Sequence, residues 1–128
     1  MESTKYFTLD EAQSLIPSVI PKLEQLAELK RELDRRGYDI QRHRYFGGMG
    51  PNGQKVFPQQ MEQLVLMVQD LNEAGIEIKD VDQGLIDFPH KRKNGEIVCL
   101  CFKLGESEIV AWHTRSGGFQ GRKPLSAL

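Results

Sequence analysis

The chain has 128 residues, of which 39% are hydrophobic and 27% are charged, and its formal net charge at pH 7 is -1. This length suits one domain that buries about two-thirds of the surface of the unfolded chain, and we expect a single domain over residues 1–128. A net charge so close to zero argues against nucleic acid or an anionic membrane surface as the main partner.

We also expect neither an export signal nor a membrane span. Residues 1–5 lack the apolar core of a signal peptide, and no apolar run reaches the ~18 residues of a membrane helix. Cys99 and Cys101 stand two positions apart in a strand-like run, where a disulfide between them would have poor geometry. Free thiols in a reducing compartment follow, so we expect a cytoplasmic protein with no membrane partner.

The first predicted element is a long helix that opens with a capping box. The Thr8 hydroxyl can accept from the Glu11 amide, and the Glu11 carboxylate can accept from the Thr8 amide. The acidic side chains of Asp10 and Glu11 also suit the positive end of the helix dipole. The sequence therefore predicts that the helix begins immediately after Thr8.

Apolar residues recur at alternating steps of three and four over residues 9–33, which is a heptad-like pattern typical of a coiled coil or helical hairpin. Pro17 and Pro21 lie inside this pattern, and each removes one backbone donor. Because the spacing keeps its phase across both prolines, we predict one kinked helix. We expect it to run to about Gly37, or as far as Arg44.

A glycine-rich connector and a second helix follow. Residues 45–58 show no periodicity, and Pro58 suits the first turn of a helix. Gly75 suits the position after its last turn. The apolar stripe of this helix comprises Met61, Leu64, Val65, Val68 and Leu71. Residues 6–75 are therefore predicted to form an antiparallel helical hairpin.

From residue 76 the period changes to two, which indicates β-strands. Residues 76–79 alternate, and three longer runs read as strands: Leu85 to His90, Ile97 to Lys103 and Glu108 to Thr114. Residues 76–128 are thus predicted to be a β-meander followed by a Gly-rich tail. The predicted fold class is α+β, a long proline-kinked antiparallel helical hairpin packed on a three-stranded antiparallel β-meander.

The predicted turns set the strand pairing. A two-residue loop at 94–95, the favoured length for an Asn-Gly pair, places Pro89 opposite Leu100. The next turn places Cys99 opposite Trp112. One predicted face carries Ile86, Phe88, Cys99, Cys101, Val110 and Trp112. The other carries Asp87, Pro89, Val98, Leu100, Phe102, Ile109, Ala111 and His113. Both faces are mostly apolar, so we expect the helices to cover one and a second subunit, the tail, or both to cover the other.

Several segments of the chain belong together as family motifs. They are Phe7-Thr8-Leu9, Ile16-Pro17, Pro21, Gly75 to Asp80, Asp82 to Pro89, Leu100-Cys101, Gly105-Glu106, Trp112-His113 and Gly118 to Pro124. Through these segments the chain resembles the bacterial family catalogued as domain of unknown function 2203. The resemblance spans nearly the whole chain and implies a bacterial origin, and it brings no activity with it.

The recurring polar residues of the matched segments are the candidates for a site: Asp82, Asp87, Glu106, His113 and Arg122. A histidine with carboxylates and an arginine could perform general acid–base chemistry on an anionic substrate. The same residues could instead be structural, with carboxylates accepting backbone amides in turns. In that case Arg122 is expected to pair with Asp87, within one chain or across a dimer.

The cysteines offer two further possibilities. Cys101 is a candidate for ligand binding or nucleophilic chemistry. Cys99 and Cys101 could also bind a metal with His90, which the predicted register places opposite Cys99. The neighbouring Phe88 and Trp112 favour simple burial instead, because cysteine is among the most buried residue types. We assign no metal ligand and no cofactor, and expect both thiols to be reduced and metal-free.

Three functions follow in order of preference. The first is a non-enzymatic binding or protein-interaction module, a homodimer with a protein partner or an anionic small molecule as its ligand. The alternative is a small-ligand-binding protein or enzyme that uses the His, carboxylate and Arg residues. The third is a metal-binding protein. The sequence leaves open whether the protein is an enzyme.

Overall fold

A computed structural model describes residues 5–36 and 59–128. These residues form two α-helices, α1 (Leu9–Arg35) and α2 (Gln59–Glu73). One antiparallel sheet follows, with the strands β1 (Glu77–Asp80), β2 (Leu85–Lys91), β3 (Ile97–Lys103), β4 (Ala111–Thr114) and β5 (Lys123–Pro124) in chain order. The α+β class is confirmed. The predicted connector at 45–58 and the predicted helix end beyond residue 36 lie outside the described residues.

The helix α1 forms as its local sequence predicts. Glu11 donates its amide to the Thr8 hydroxyl at 3.0 Å, and Thr8 donates its amide to the Glu11 carboxylate at 2.8 Å, which confirms the capping box. The helix is continuous across Pro17 and Pro21, as predicted. Its buried stripe comprises Ala12, Ile16, Val19, Leu23, Leu26, Ala27, Leu29 and Leu33. No helix of the described residues is long and apolar enough to cross a membrane.

Loss of the cap should be measurable. We expect Thr8→Ala to lower the free energy of unfolding by ~1 kcal/mol, because the Glu11 amide loses its acceptor at the helix end. Thr8→Ser keeps the hydroxyl, and its free energy of unfolding should lie within about a few tenths of a kcal/mol of that of the parent protein. Urea denaturation of the three proteins measures the difference. Equal midpoints for Thr8→Ala and the parent would contradict the role of Thr8.

The sheet has five strands, so the prediction of a three-stranded meander is wrong. β1 pairs with β2 and β5 pairs with β4, which adds one strand at each edge. β5 has only two residues and contains Pro124, which lacks an amide donor and is therefore typical of an edge strand. The Trp112 indole donates to the Pro124 carbonyl at 3.1 Å and helps to hold the tail at the edge of the sheet.

The strand predicted to begin at Glu108 begins at Ala111 instead. Its expected first residues lie against α1, where the Gln13 side chain binds both backbone groups of Ile109. Gln13 accepts from the Ile109 amide at 2.8 Å and donates to the Ile109 carbonyl at 2.9 Å. These bonds satisfy the backbone of Ile109 without a neighbouring strand, and the Ile109 side chain is buried in the core.

The predicted register of the β2–β3 hairpin is wrong by one residue. Arg92 donates its amide to the Glu96 carbonyl, and Gly95 donates to the Arg92 carbonyl, both at 2.8 Å. The loop is therefore the three residues 93–95, with Gly95 at φ 92° in the left-handed region. Pro89 consequently pairs with Cys99 rather than Leu100.

This shift turns the β3 side chains to the opposite faces of the sheet, because side chains alternate along a strand. The face toward the helices now carries the large apolar residues, which join those of α1 and α2 in one core: Ile86, Phe88, Val98, Leu100, Phe102 and Trp112. The other face, called the outer face below, carries Asp87, Cys99, Cys101 and His113. The register thus separates an apolar face from a face that bears buried polar groups.

Candidate functional site

Three neighbouring strands bring a carboxylate, a thiol and an imidazole together on the outer face. Asp87 lies on β2, Cys99 on β3 and His113 on β4, and Cys99 is paired directly with His113. The three residues are 1%, 2% and 4% exposed, respectively. One oxygen of Asp87, the Cys99 sulfur and one ring nitrogen of His113 lie within 4.8 Å of one another. We call these three residues the Asp–Cys–His cluster.

Both ring nitrogens of His113 face oxygen atoms. Nδ1 lies 2.7 Å from the Thr114 carbonyl oxygen, and Nε2 lies 3.0 Å from Asp87 Oδ1. A carbonyl oxygen can only accept, so Nδ1 carries a proton and donates it to Thr114. Nε2 is then either protonated and donates to Asp87, or unprotonated, in which case its lone pair faces the carboxylate oxygen and requires a cation between the two atoms. The second arrangement is typical of a histidine that binds a metal ion.

The other oxygen of Asp87 is left without a partner. Oδ2 is buried, and no described residue meets hydrogen-bond geometry with it. Burial raises the pKa of the Cys101 thiol to about 12, and the paired Asp87 carboxylate adds to this shift, so Cys101 keeps its proton and is a weak donor toward Asp87. A buried carboxylate oxygen without a full hydrogen bond is costly. Oδ2 therefore has room for a bond from a further positive group.

Arg115 positions the thiol of Cys99. Its Nη1 lies 3.2 Å from Cys99 Sγ, and its two terminal nitrogens donate to the two oxygens of Glu77 at 3.0 and 3.2 Å. Burial raises the pKa of Cys99, while the hydrogen bond from Arg115 opposes this shift. The bond to Glu77 raises the pKa of Arg115, so Arg115 stays charged. A fixed guanidinium beside sulfur stabilises a thiolate once a cation has displaced the proton.

A cysteine-nucleophile site does not fit this geometry. In such a site one ring nitrogen of a histidine is hydrogen-bonded to the thiol, and the other is hydrogen-bonded to the group that orients the ring. Nδ1 of His113 lies against the Thr114 carbonyl and Nε2 lies against Asp87, so neither ring nitrogen is hydrogen-bonded to the Cys99 thiol. Cys101, the thiol considered as a nucleophile from sequence, has a pKa far too high to supply a thiolate. The cluster is better suited to binding a cation than to covalent chemistry.

The cluster opens into a pocket of about 420 Å³. The tail folds over the outer face and forms one wall of this pocket through Gly118 and Phe119. Lys79, Leu85 and Arg115 complete the rim. The tail therefore covers part of the face, one of the two covers expected from sequence, and it leaves the cluster connected to the surface.

The predicted pairing of Asp87 with Arg122 is wrong within the chain. Arg122 Nη2 donates to Glu106 Oε2 at 2.8 Å, and Asp87 bonds His113 instead. Glu106 also accepts the Lys103 amide at 2.8 Å, so it holds both the β3 turn and the tail. Arg122 stacks on the ring of Phe119, 4.9 Å from its centroid, and thereby supports a wall of the pocket.

Asp82 lies apart from the cluster. Its Oδ2 is 3.0 Å from Lys30 Nζ, an ion pair that joins the β1–β2 turn to α1. Burial alone would lower the pKa of Lys30, but hydrogen bonds to Asp34 and Asp82 hold it above its usual value. Asp82 and Glu106 line a separate groove, so of the predicted candidates only Asp87 and His113 share the cluster, with Cys101 beside them.

The metal ligand set considered from sequence is also corrected. His90 pairs with Val98, and its Nδ1 lies 2.7 Å from the Phe7 carbonyl oxygen, so it is on the other face from the cysteines. His113 takes its place beside Cys99. Arg115 was missed, although it lies two positions after His113, and the alternation of a strand would have placed both on one face.

The fold and the cluster define a small α+β domain with a buried Asp–Cys–His group on the outer face of an antiparallel sheet. The chain belongs to the family of uncharacterized conserved proteins designated DUF2203, whose family model matches residues 5–125. The resemblance found in its motifs is thereby confirmed. No curated protein and no solved structure matches the chain.

Proposed function

We propose that this protein binds a divalent transition-metal ion, with Zn²⁺ as the best match, through Asp87, Cys99 and His113. The observation that supports this most is the convergence of three different ligand atoms within 4.8 Å in a buried cluster. Zinc takes all three donor types, namely carboxylate oxygen, thiolate sulfur and imidazole nitrogen. An Asp carboxylate and a Cys thiolate together balance the charge of one divalent ion.

The three ligand atoms, which lie within 4.8 Å of one another, need only small shifts to surround a tetrahedral ion. Bonds of ~2.0–2.3 Å to zinc place its ligand atoms roughly 3.3–3.6 Å apart. The distance between His113 Nε2 and Asp87 Oδ1 is 3.0 Å, so these two atoms need to move only slightly further apart for one ion to bind both. The Thr114 carbonyl and the Arg115 guanidinium already orient the imidazole and the thiol from outside the cluster.

The alternative is a buried ion pair of Asp87 with a protonated His113 that only stabilises the fold. That hypothesis explains the 3.0 Å contact between them. It gives no role to Cys99 or to the contact of Arg115 with its sulfur. A bound cation accounts for both, and we favour it for that reason.

Cobalt substitution tests the proposal. We expect the chelator-treated protein to bind about one equivalent of Co²⁺, with tetrahedral d–d bands and a thiolate-to-cobalt charge-transfer band. Cys99→Ser should abolish the charge-transfer band, and His113→Gln should weaken Co²⁺ binding at least tenfold. Titration of each folded protein, with folding checked by circular dichroism, measures both effects.

The chain supplies matched controls for both ligands. Cys101→Ser changes the other thiol of the same strand and face, and His90→Gln changes a histidine of the opposite face. Both variants should keep the cobalt spectrum of the parent. A charge-transfer band that survives Cys99→Ser, or one that disappears with Cys101→Ser, would refute the assignment.

This proposal keeps the hypothesis of a binding module with a metal ion as its ligand, and it replaces the expectation that both thiols are metal-free. The remaining predictions from sequence complete it: a protein of the bacterial cytoplasm, a single domain, a homodimer, and an antiparallel helical hairpin bent at its prolines. The buried apolar stripes of α1 and α2, which share one core, support the hairpin. The free thiols of Cys99 and Cys101 support a reducing compartment.

A further inference from the structure

Three protein ligands leave the preferred fourth position of a zinc ion for a molecule from solution. The ligand-bearing residues Asp87, Cys99 and His113 all line the same pocket of about 420 Å³. This volume lies within the range of pockets that hold small molecules. The free position of the ion therefore faces a space that a small molecule can enter.

The charges around this space favour an anion. A divalent ion, the Asp87 carboxylate and the Cys99 thiolate sum to zero. At the rim, Glu77 lies between two cations, 3.0 Å from Arg115 and 3.4 Å from Lys79. One carboxylate between two cations leaves one positive charge. Among the described residues that line the pocket, Asp87 is the only acidic one, so the rim charge is not cancelled from inside.

The walls indicate the rest of the ligand. Leu85 and Phe119 are apolar, and Gly118 has no side chain. An anionic head that reaches the ion would place its remaining atoms against these walls. A carboxylate with an apolar body satisfies both parts, whereas a fully polar oxyanion satisfies only the first.

On the basis of the proposed metal centre, we infer that the protein binds a small monocarboxylate with an apolar body. Its carboxylate takes the open position of the metal ion, and Lys79 and Arg115 balance its charge. Benzoate is a suitable probe, benzamide is its neutral isostere, and inorganic phosphate is an oxyanion without an apolar body. The Co²⁺-loaded protein reports binding through its d–d bands.

We expect benzoate to change the d–d bands saturably, and benzamide and phosphate to leave them unchanged. Lys79→Gln should weaken benzoate binding about five- to tenfold, because one rim charge is lost. Lys91→Gln removes a lysine from the exposed end of β2, outside the pocket, and should bind benzoate as the parent does.

The outcomes separate this inference from the metal centre itself. A normal cobalt charge-transfer band with no response to benzoate overturns the ligand and leaves the metal centre intact. Equal changes of the d–d bands with benzoate and benzamide would refute the role of the ligand's charge. A change with phosphate alone would refute the requirement for an apolar body. The absence of the charge-transfer band from the parent protein overturns the metal centre, and the inference fails with it.

Discussion

Gly84→Ala should lower the free energy of unfolding by about 2–5 kcal/mol, the largest effect that we expect from one substitution outside the cluster. Gly84 lies in the turn between β1 and β2 with φ at 63°, where a residue with a side chain is strained. A Cβ atom added there would lie 2.5 Å from the Cβ of Leu104. Neither atom belongs to the flexible end of a side chain, so the backbone itself would have to move.

The close approach has a structural cause. Leu104 donates its amide to the Gly84 carbonyl at 3.0 Å, which extends the pairing of β2 and β3 by one step. This bond holds the two backbones together at the position where the added Cβ would project. Any backbone movement that relieves the clash therefore weakens the hydrogen bonding at the end of the β2–β3 pair. The cost of the lost hydrogen bonding then adds to the cost of the strain.

Gly95→Ala is the matched control. Gly95 also has a positive φ of 92°, but a Cβ atom there meets nothing within 4 Å. We expect this variant to lose only ~1–2 kcal/mol, the cost of the backbone conformation. Urea denaturation of both variants isolates the contact with Leu104 as the difference. Equal losses would show that strain in φ, and not the contact, determines the effect.

Local features of the fold could be predicted from the sequence because their causes are local. The capping box of Thr8 and Glu11 joins residues three apart, and the helical spacing tolerates Pro17 and Pro21 without changing phase. The α+β class follows from the change of period near residue 76. None of these features requires knowledge of how distant segments meet.

The register of the β2–β3 hairpin could not be predicted in the same way. The Asn94-Gly95 pair suits both a two-residue loop and the observed three-residue loop with Gly95 in the left-handed region. The choice between them depends on packing far away in sequence. The observed loop puts Leu100 and Phe102 toward the helices, where both are fully buried in the core. The two-residue loop would have placed them on the outer face beside Asp87.

The candidate site depended on this choice. The predicted register put Cys99 and His113 on opposite faces, so the cluster could not be recognised, although Asp87 and His113 were both named as candidates. Two pairings had to shift by one residue: that of β2 with β3, and that of β3 with β4, where Cys99 lies opposite His113 and not opposite Trp112 as predicted. The partner of Arg122 was predicted wrongly for another reason. The path of the Gly-rich tail determines whether Arg122 reaches Glu106 or Asp87, and this path cannot be predicted because glycine adopts many backbone conformations.

Metal-dependent stability is the second large effect that we expect. A ligand that binds only the folded state stabilises it by about 4 kcal/mol at a free concentration of 1,000 times its dissociation constant. For a domain of this length the unfolding midpoint should rise by roughly 10–20 °C when the apo protein receives Zn²⁺. A chelator should return the midpoint to the apo value. Thermal unfolding followed by circular dichroism measures both shifts.

The two thiol variants decide what the shift means. Cys99→Ser removes one ligand and should abolish most of the rise, whereas Cys101→Ser should keep it, because Cys101 lies outside the Asp–Cys–His cluster. If Asp87 and His113 formed only a buried ion pair, Zn²⁺ would have no site between them, and the two serine variants would respond to it alike. An equal rise in both variants would instead place the metal elsewhere on the protein. If the unfolding midpoint rises in the parent and in Cys101→Ser but not in Cys99→Ser, metal binding requires the sulfur of Cys99. An ion pair between Asp87 and His113 cannot produce that pattern, because Cys99 takes no part in the pair.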